Sequence, residues 1–370
     1  IVFGDWSSDV CSSDLQANPM PIGMAALNST DSWSSPLVGL ATPVIRPRAA
    51  SLSYTKEPSG FFFTDSGGRE YVYLAYTGYN SNFGNEDVYL SRFVFNQISN
   101  AALNYGRLPF ARIGTTGVAG NNPRELLGVD TSRRVFWTRH LDWLATDNFL
   151  NVRTGDDPRI FLDYIAGGVQ HEEELTWIPA IGSYEPTSGV FRVTLTNPLL
   201  AGMQATIDPV NGRLQFGRPI SGPALGVFDA WLSIAYSPFT YRATTSVRDD
   251  NNPVLVSSYS ADQFALFWEQ LGFERTSQLM YKLGVGTADD VSWSRPAQVP
   301  MHHLVHEGDF NVTSEDFPYD NGGGDSGIGT KYWVFWTSAR VSDAAPGEYG
   351  GMDVYFTSVM PDYETMIQED

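Results

Sequence analysis

The sequence predicts an all-β protein built from propeller-like repeats of about 60 to 70 residues with a β-rich insertion; a β-sandwich with an insertion is the alternative. Two observations predict this class. A strand pattern rich in aromatic residues recurs along the chain, and helix-capping pairs are scarce. Short apolar runs bounded by Gly, Pro, Asn and Asp are typical of strands and turns.

The clearest repeat relates a segment near the start of the chain to one near its end. The matched segments are 73–77 (YLAYT) with 333–337 (WVFWT), and 87–91 (DVYLS) with 353–357 (DVYFT). Trp33 precedes Thr77 by 44 residues (77 − 33), and Trp293 precedes Thr337 by the same 44 (337 − 293). A recurring spacing favours a repeat architecture over a sandwich. Because the matched strands are continuous apolar runs, we expect inner strands covered on both faces.

Two weaker copies of the pattern complete the series. Their strands are expected at 134–139 with 161–164, and at 263–268 with 279–281. We therefore predict propeller-like repeats in residues 16–177 and 246–370, separated by a β-rich insertion or atypical repeat at 178–245. Inside the insertion, Asn211 and Gly212 stand between two apolar runs, which predicts a hairpin turn.

Residues 1–15 are interpreted as a non-native segment. The string DWSSDVCSSDL at 5–15 matches the translation of a common sequencing adapter, which also indicates a metagenomic origin. The single cysteine, Cys11, lies in this string, so the remaining residues indicate neither a disulfide nor a thiol nucleophile.

Charge and composition restrict the classes of partner. The chain carries 23 Lys and Arg against 42 Asp and Glu, a net charge of −19, so we expect no binding to nucleic acid. No apolar run reaches the ~18 residues of a membrane-spanning helix, and we expect no membrane insertion. Few lysines and abundant Tyr, Trp and Gly favour an extracellular or virion-surface location.

One stretch resembles a known family. Residues 287–296 (TADDVSWSRP) are similar to the Asp-box of sialidase-type β-propellers, a Ser/Thr-x-Asp-x-Gly-x-Thr-Trp turn that is often followed by Ser-x-Pro. The stretch is one residue shorter and lacks the Gly. The resemblance implies blade architecture, since the Asp and Trp of the box are structural in that family. It implies no sialidase active site, because the family's Arg-Ile-Pro motif is absent from this sequence.

Three carboxylates are candidate catalytic residues: Asp163, Asp65 and Glu174. A glycoside hydrolase acts through an acid and a base or nucleophile placed on either side of the sugar bond. Asp163 interrupts an apolar strand, where burial raises the pKa of a carboxyl group. The alternative for Asp163 is a structural role, in which it accepts backbone hydrogen bonds at the corner of a sheet.

Further candidate residues lie in predicted loops. The candidate ligand-binding aromatic residues are Trp143, Tyr79, Phe83 and Tyr349, whose rings could stack on sugar faces. Asp320 and Asp325 border a Gly-rich loop and are candidate Ca²⁺ ligands, with a plain flexible loop as the alternative.

These features together predict a non-catalytic, extracellular or virion-surface protein with a structural or glycan-recognition role. Its expected partners are a polysaccharide or the protein subunits of an assembly. The alternative is a glycoside hydrolase or lyase that acts on a polysaccharide through carboxylates on the propeller face. Carboxylates that converge in one pocket would favour the enzyme.

Overall fold

The computed structural model of the chain is all-β, with several antiparallel sheets. The structure describes residues 2–5, 22–27, 33–34, 42–45, 52–64, 68, 70–94, 107–114, 123–128, 133–146, 149–150, 155–185, 189–220, 230–260, 262–272, 277–286, 291–300, 307–320, 326–338 and 353–361. No helix occurs within these ranges, and therefore no helix in them is long and apolar enough to cross a membrane.

The strands are as follows in chain order. The first eight are β1 (Val2–Asp5), β2 (Ile22–Leu27), β3 (Trp33–Ser34), β4 (Thr42–Ile45), β5 (Leu52–Thr64), β6 (Glu70–Asn80), β7 (Asn85–Val94) and β8 (Arg107–Leu108). The next eleven are β9 (Glu125–Gly128), β10 (Val135–Trp137), β11 (Leu141–Trp143), β12 (Arg159–Ala166), β13 (Val169–Glu174), β14 (Trp177–Glu185), β15 (Val190–Leu195), β16 (Gln204–Asp208), β17 (Arg213–Phe216), β18 (Ala230–Ala235) and β19 (Pro238–Arg242). The last eight are β20 (Asp250–Ser257), β21 (Gln263–Leu271), β22 (Ser277–Gly286), β23 (Val291–Trp293), β24 (Ala297–Gln298), β25 (Glu307–Asp320), β26 (Ser326–Ser338) and β27 (Asp353–Val359).

The chain forms two compact units. Unit 1 consists of Ile1–Pro47, Ser51–Leu108 and Ala243–Asp370, and unit 2 consists of Arg48–Ala50 and Pro109–Arg242. Unit 2 contains nearly all of the segment 178–245 that the sequence marks as an insertion, and it begins well before that segment.

The first and last copies of the predicted repeat have the same strand pairing. Thr77 on β6 lies opposite Val88 on β7, and Thr337 on β26 lies opposite Val354 on β27. The other corresponding pairs are Leu74–Ser91 with Val334–Thr357, Ala75–Leu90 with Phe335–Phe356, and Tyr76–Tyr89 with Trp336–Tyr355. Residues matched by sequence therefore have the same cross-strand partners, which confirms the repeat at these two places.

The weaker copies give two different results. β21 pairs with β22, so the strands predicted at 263–268 and 279–281 are neighbours. The pairing expected between 134–139 and 161–164 is wrong: β10 pairs with β17, and β12 pairs with β13 and β18. An aromatic run predicts a strand there, but the partner depends on the long-range packing of unit 2.

Each unit has its own apolar core. In unit 2 the core includes the inward side chains of β12, β15, β16 and β18. In unit 1 one core lies between β21 and β22 on one side and β25, β26 and β27 on the other. β6 and β7 are buried on both faces, as predicted. For β26 the same expectation is wrong, because Val334 is buried while Phe335 is 40% exposed.

The hairpin turn predicted in unit 2 is confirmed. Asp208 on β16 pairs with Arg213 on β17, so the turn contains Asn211 and Gly212. Gly212 has a φ of 64°, a left-handed conformation that glycine adopts readily. Asp208 supports the turn by accepting a hydrogen bond from the Asn211 side-chain amide at 2.8 Å.

Candidate functional site

A sheet of unit 2, with strand order β13-β12-β18-β9, has one face on the core and one face turned away from it. The core-facing side chains of its central strands are Ile160, Leu162, Tyr164, Ala230, Leu232 and Ile234. Because side chains alternate along a strand, the residues between these lie on the outer face. We name the outer side chains Arg124, Phe161, Asp163, Glu172, Glu174 and Trp231 the charged face.

Strand register places two of the three predicted catalytic carboxylates on this face. Asp163 on β12 lies directly opposite Glu172 on β13 and Trp231 on β18. Phe161, two residues earlier, lies opposite Glu174. Asp163 and Glu174 are therefore diagonal neighbours, about 7–8 Å apart in such a ladder, whereas Asp163 and Glu172 are adjacent at about 5 Å.

Two arginines hold the Glu172 and Glu174 carboxylates of β13 in place. The Arg124 Nη2 atom lies 2.5 Å from the Glu172 Oε2 atom. The Arg159 Nε atom donates to the Glu174 Oε2 atom at 3.1 Å, and its Nη2 atom donates to the same oxygen. Both guanidinium groups also lie near the Phe161 ring, at 4.0 Å for Arg124 and 5.6 Å for Arg159. Two guanidinium groups thus lie close to one aromatic ring, and each of them also binds a carboxylate.

Asp163 is the buried member of the charged face. It is 4% exposed, and its Oδ2 atom accepts a hydrogen bond from the Ser233 hydroxyl at 3.3 Å. Burial raises the pKa of the Asp163 carboxyl, the Arg124 guanidinium lowers it in part, and neighbouring Glu172 raises it further. Asp163 therefore keeps its proton to a higher pH than an ordinary aspartate.

A glycine next to this face keeps Arg124 in place. Gly114 has a φ of 81°, and a Cβ atom added there would lie 2.7 Å from the Arg124 Cγ atom and 2.9 Å from the Ala235 Cβ atom. The backbone of residue 114 therefore packs closely against the arginine side chain. Among the described residues, the buried Arg124 Nη1 atom has no hydrogen-bond partner, so its position depends on this packing and on Glu172.

The carboxyl groups of the charged face can be compared with those of a glycosidase in their separation and in their contacts. Glycosidases place two carboxyl groups on either side of the sugar bond, about 5–5.5 Å apart in retaining enzymes and 6.5–9.5 Å apart in inverting ones. Here Asp163 is buried beside Ser233, and Glu174 receives two hydrogen bonds from Arg159. Glu172, whose side chain is 52% exposed, and the half-buried Trp231 lie nearer to solvent. These groups can accept hydrogen bonds from a ligand and contact its apolar faces.

The predicted aromatic binding residues lie in different environments. The expected exposure of Trp143 is wrong: it ends β11, it is buried, and its Nε1 atom donates to the Thr138 hydroxyl at 3.0 Å. Its ring packs on Tyr236, so it is not available to a ligand. Tyr79 is on β6 rather than in a loop, half-buried and stacked on Tyr54. Phe83 is exposed in the turn between β6 and β7, as expected.

Several predicted site residues lie outside the described residues. Asp65, Asp325 and Tyr349 are among them, and so is the side chain of Asp320, the last residue of β25. Across the ranges that the structure describes, no three His, Cys, Asp or Glu side chains are grouped as metal ligands. The Ca²⁺ site between Asp320 and Asp325 therefore stays a prediction.

The turn of the β12–β13 hairpin could have identified the neighbours of Asp163. Gly167 and Gly168 are a two-residue hairpin signal, and Ala166 pairs with Val169 across them. That register alone places Glu172 opposite Asp163. Arg124 and Trp231 come from distant parts of the chain, and no local signal connects them to this hairpin.

No family model matches the chain, and no curated protein matches it. Trp293 of the Asp-box-like stretch is buried on β23, with its ring edge-on to Phe264 at 5.4 Å. Residues 287–290 of that stretch lie outside the described residues, so the likeness to sialidase-type propellers stays a prediction.

Proposed function

We propose that the protein is a non-catalytic, extracellular or virion-surface β protein that recognises a glycan through the charged face of unit 2. The observation that carries this proposal is the placement of Trp231, Asp163 and Glu172 in one cross-strand row beside Arg124. This row combines an aromatic ring, the exposed Glu172 carboxylate and a guanidinium donor around the buried Asp163.

The chemistry of a sugar fits this combination. Sugar hydroxyls both donate and accept hydrogen bonds, whereas carboxylates only accept and guanidinium groups only donate. An indole ring offers a large apolar face and loses little conformational entropy when it binds. The ion pair of Arg124 with Glu172 supports the proposal further, because a side chain already held in position costs less to order in a complex.

The test is a panel of polysaccharides assayed for binding to the wild type and to Trp231→Ala. At least one polysaccharide should bind the wild type, and Trp231→Ala should weaken that binding about tenfold or more, since loss of a central Trp contact costs more than about 1.4 kcal/mol. Tyr259→Ala is the matched control, because Tyr259 is 54% exposed and lies in unit 1. Equal binding by the wild type and by Trp231→Ala would exclude the charged face as the glycan-binding site.

A second candidate function is glycoside hydrolysis, and the raised pKa of the Asp163 carboxyl favours it, because a general acid must hold its proton near neutral pH. Glu174, the diagonal neighbour of Asp163, would then be the base. The test is release of reducing ends from the bound polysaccharide. Release that disappears in Asp163→Asn would establish the enzyme, and binding without release would exclude it.

A further inference from the structure

The charges of the charged face are not balanced equally along β13. At the Glu174 end, the carboxylate receives two hydrogen bonds from Arg159. A second guanidinium group, that of Arg112, is held nearby by the Asp156 and Asp157 carbonyl oxygens at 2.9 Å and 2.8 Å, and Glu174 raises its pKa in part. Two cations of the chain itself therefore act on the Glu174 carboxylate.

The other end of the face has one cation for two carboxyl groups. Asp163 and Glu172 lie directly opposite each other on the ladder, a position in which like charges repel. The Arg124 guanidinium binds Glu172, and it also lowers the pKa of the Asp163 carboxyl in part. Across the described part of the chain, no second cation lies within ion-pair distance of Asp163 or Glu172. This end of the face therefore has an excess negative charge whenever Asp163 is ionised.

The excess charge lies beside an aromatic ring. Trp231 on β18 and Glu172 on β13 flank Asp163 in one row, so they lie about 10 Å apart, which is two strand spacings. Trp231 is half-buried and the Glu172 side chain is 52% exposed. A ligand that contacts both side chains therefore passes over the Asp163 carboxyl.

The charge of the ligand decides how well it suits this row. An acidic sugar is unsuited, because Arg124 and Arg159 are already bound to carboxylates and a chain with a net charge of −19 repels a polyanion. A neutral sugar can form hydrogen bonds but leaves the excess charge uncompensated. A protonated amino group supplies one positive charge and three donors for carboxylate oxygens, and an indole ring also attracts a cation.

We infer that the charged face selects a glycan of amino sugars with free amino groups, whose ammonium group binds the Glu172 carboxylate, above Asp163 and beside the Trp231 ring. The inference rests on the proposed glycan recognition and names the class of glycan. Glu172 is then the residue that determines specificity, because it is the exposed carboxylate of the row.

The test compares three soluble oligomers of the same length and linkage, made of glucosamine, N-acetylglucosamine or glucose. Their sugar units differ only in the group at C2, which is an ammonium, an acetamide or a hydroxyl group. At about pH 6, below the pKa of an amino group, the wild type should bind the glucosamine oligomer about tenfold or more tightly than either of the others. Isothermal titration calorimetry measures the three affinities.

Glu172→Gln removes the charge but keeps the size of the side chain and an oxygen acceptor, so it should abolish most of the preference for the glucosamine oligomer. Asp316→Asn is the matched control, because it also removes one exposed carboxylate, but in unit 1. It should keep the preference. General attraction between a cationic oligomer and an acidic chain would decrease equally in the two variants, and circular dichroism verifies that both keep their β structure.

Three outcomes would overturn the inference. They are equal binding of the glucosamine and N-acetylglucosamine oligomers by the wild type, no binding of the glucosamine oligomer, and a preference that Glu172→Gln and Asp316→Asn reduce equally. The proposed function would survive each of them, provided that another polysaccharide binds the wild type more tightly than it binds Trp231→Ala. Failure of the class of glycan is thus distinguishable from failure of glycan recognition.

Discussion

Gly212 shows how one residue fixes the hairpin of β16 and β17. A Cβ atom added there would lie 2.4 Å from the Thr138 Oγ1 atom and 3.0 Å from the His140 carbonyl oxygen, and the φ of residue 212 is 64°. Gly212→Ala should therefore lower the free energy of unfolding both through backbone strain, about 1–2 kcal/mol, and through a clash with Thr138. Urea unfolding of the two proteins measures the difference.

Gly202→Ala separates these two contributions. Gly202 also has a positive φ, of 78°, but nothing lies within 4 Å of an added Cβ atom. Gly202→Ala should therefore lower the free energy of unfolding only through backbone strain, by about 1–2 kcal/mol. If Gly212→Ala lowers the free energy of unfolding no more than Gly202→Ala does, the Thr138 side chain moves aside without a measurable cost. The close packing around residue 212 would then not be what requires a glycine there.

At the scale of the element, side-chain hydrogen bonds join strands β5 and β20 at irregular positions of both strands. There β5 shifts register against β6, and β20 shifts register against β21. Glu57 on β5 and Asn252 on β20 have φ values of 55° and 51°, uncommon for residues other than glycine. The Glu57 Oε2 atom accepts hydrogen bonds from the Asn252 backbone amide at 2.8 Å and from the Thr77 hydroxyl at 2.9 Å. One carboxylate thus holds the two irregular segments together.

Glu57→Ala should destabilise unit 1 by about 1–3 kcal/mol, because two donors lose a charged acceptor while residue 57 keeps its strained backbone. Chemical denaturation measures the loss. Asn252→Gly is the matched variant: it removes a side chain whose amide donates to Glu269 at 3.4 Å and retains the backbone amide that binds Glu57. It should change stability by less than about 1 kcal/mol. A larger loss in Asn252→Gly than in Glu57→Ala would contradict the role of the carboxylate.

Local signals predict the strands and turns better than they predict strand partners and exposure. The pairing of Thr77 with Val88 and of Thr337 with Val354 follows from a repeated pattern that the sequence shows directly. The burial of Trp143 does not, because it depends on contacts within the folded unit 2. For the candidate site, the sequence can predict Asp163 and its neighbours in the β12–β13 hairpin. It cannot predict that Arg124 lies on the same face, because that depends on long-range packing.

At the scale of the whole molecule, strong negative charge and buried carboxyl groups act in the same direction. Burial raises the pKa of Asp163, of Asp250 and of Glu125. A carboxyl whose pKa is higher in the folded state binds more protons folded than unfolded, so stability decreases as pH rises from the unfolded pKa to the folded one. Self-repulsion from a net charge of −19 also increases with pH above the isoelectric point near 4.5.

The melting temperature should therefore be higher at about pH 4.5, close to the unfolded pKa of these carboxyls, than at about pH 8, and scanning calorimetry across this range measures the difference. Asp250 gives the matched variant, since its Oδ1 atom accepts hydrogen bonds from the Trp268 indole at 3.1 Å and the Gln270 amide at 3.0 Å, which an asparagine oxygen can also accept. Asp250→Asn removes one titrating group and should reduce the difference between the two pH values. A melting temperature that rises with pH in the wild type would mean that ion pairs such as that of Lys56 with Glu86 outweigh the buried carboxyls.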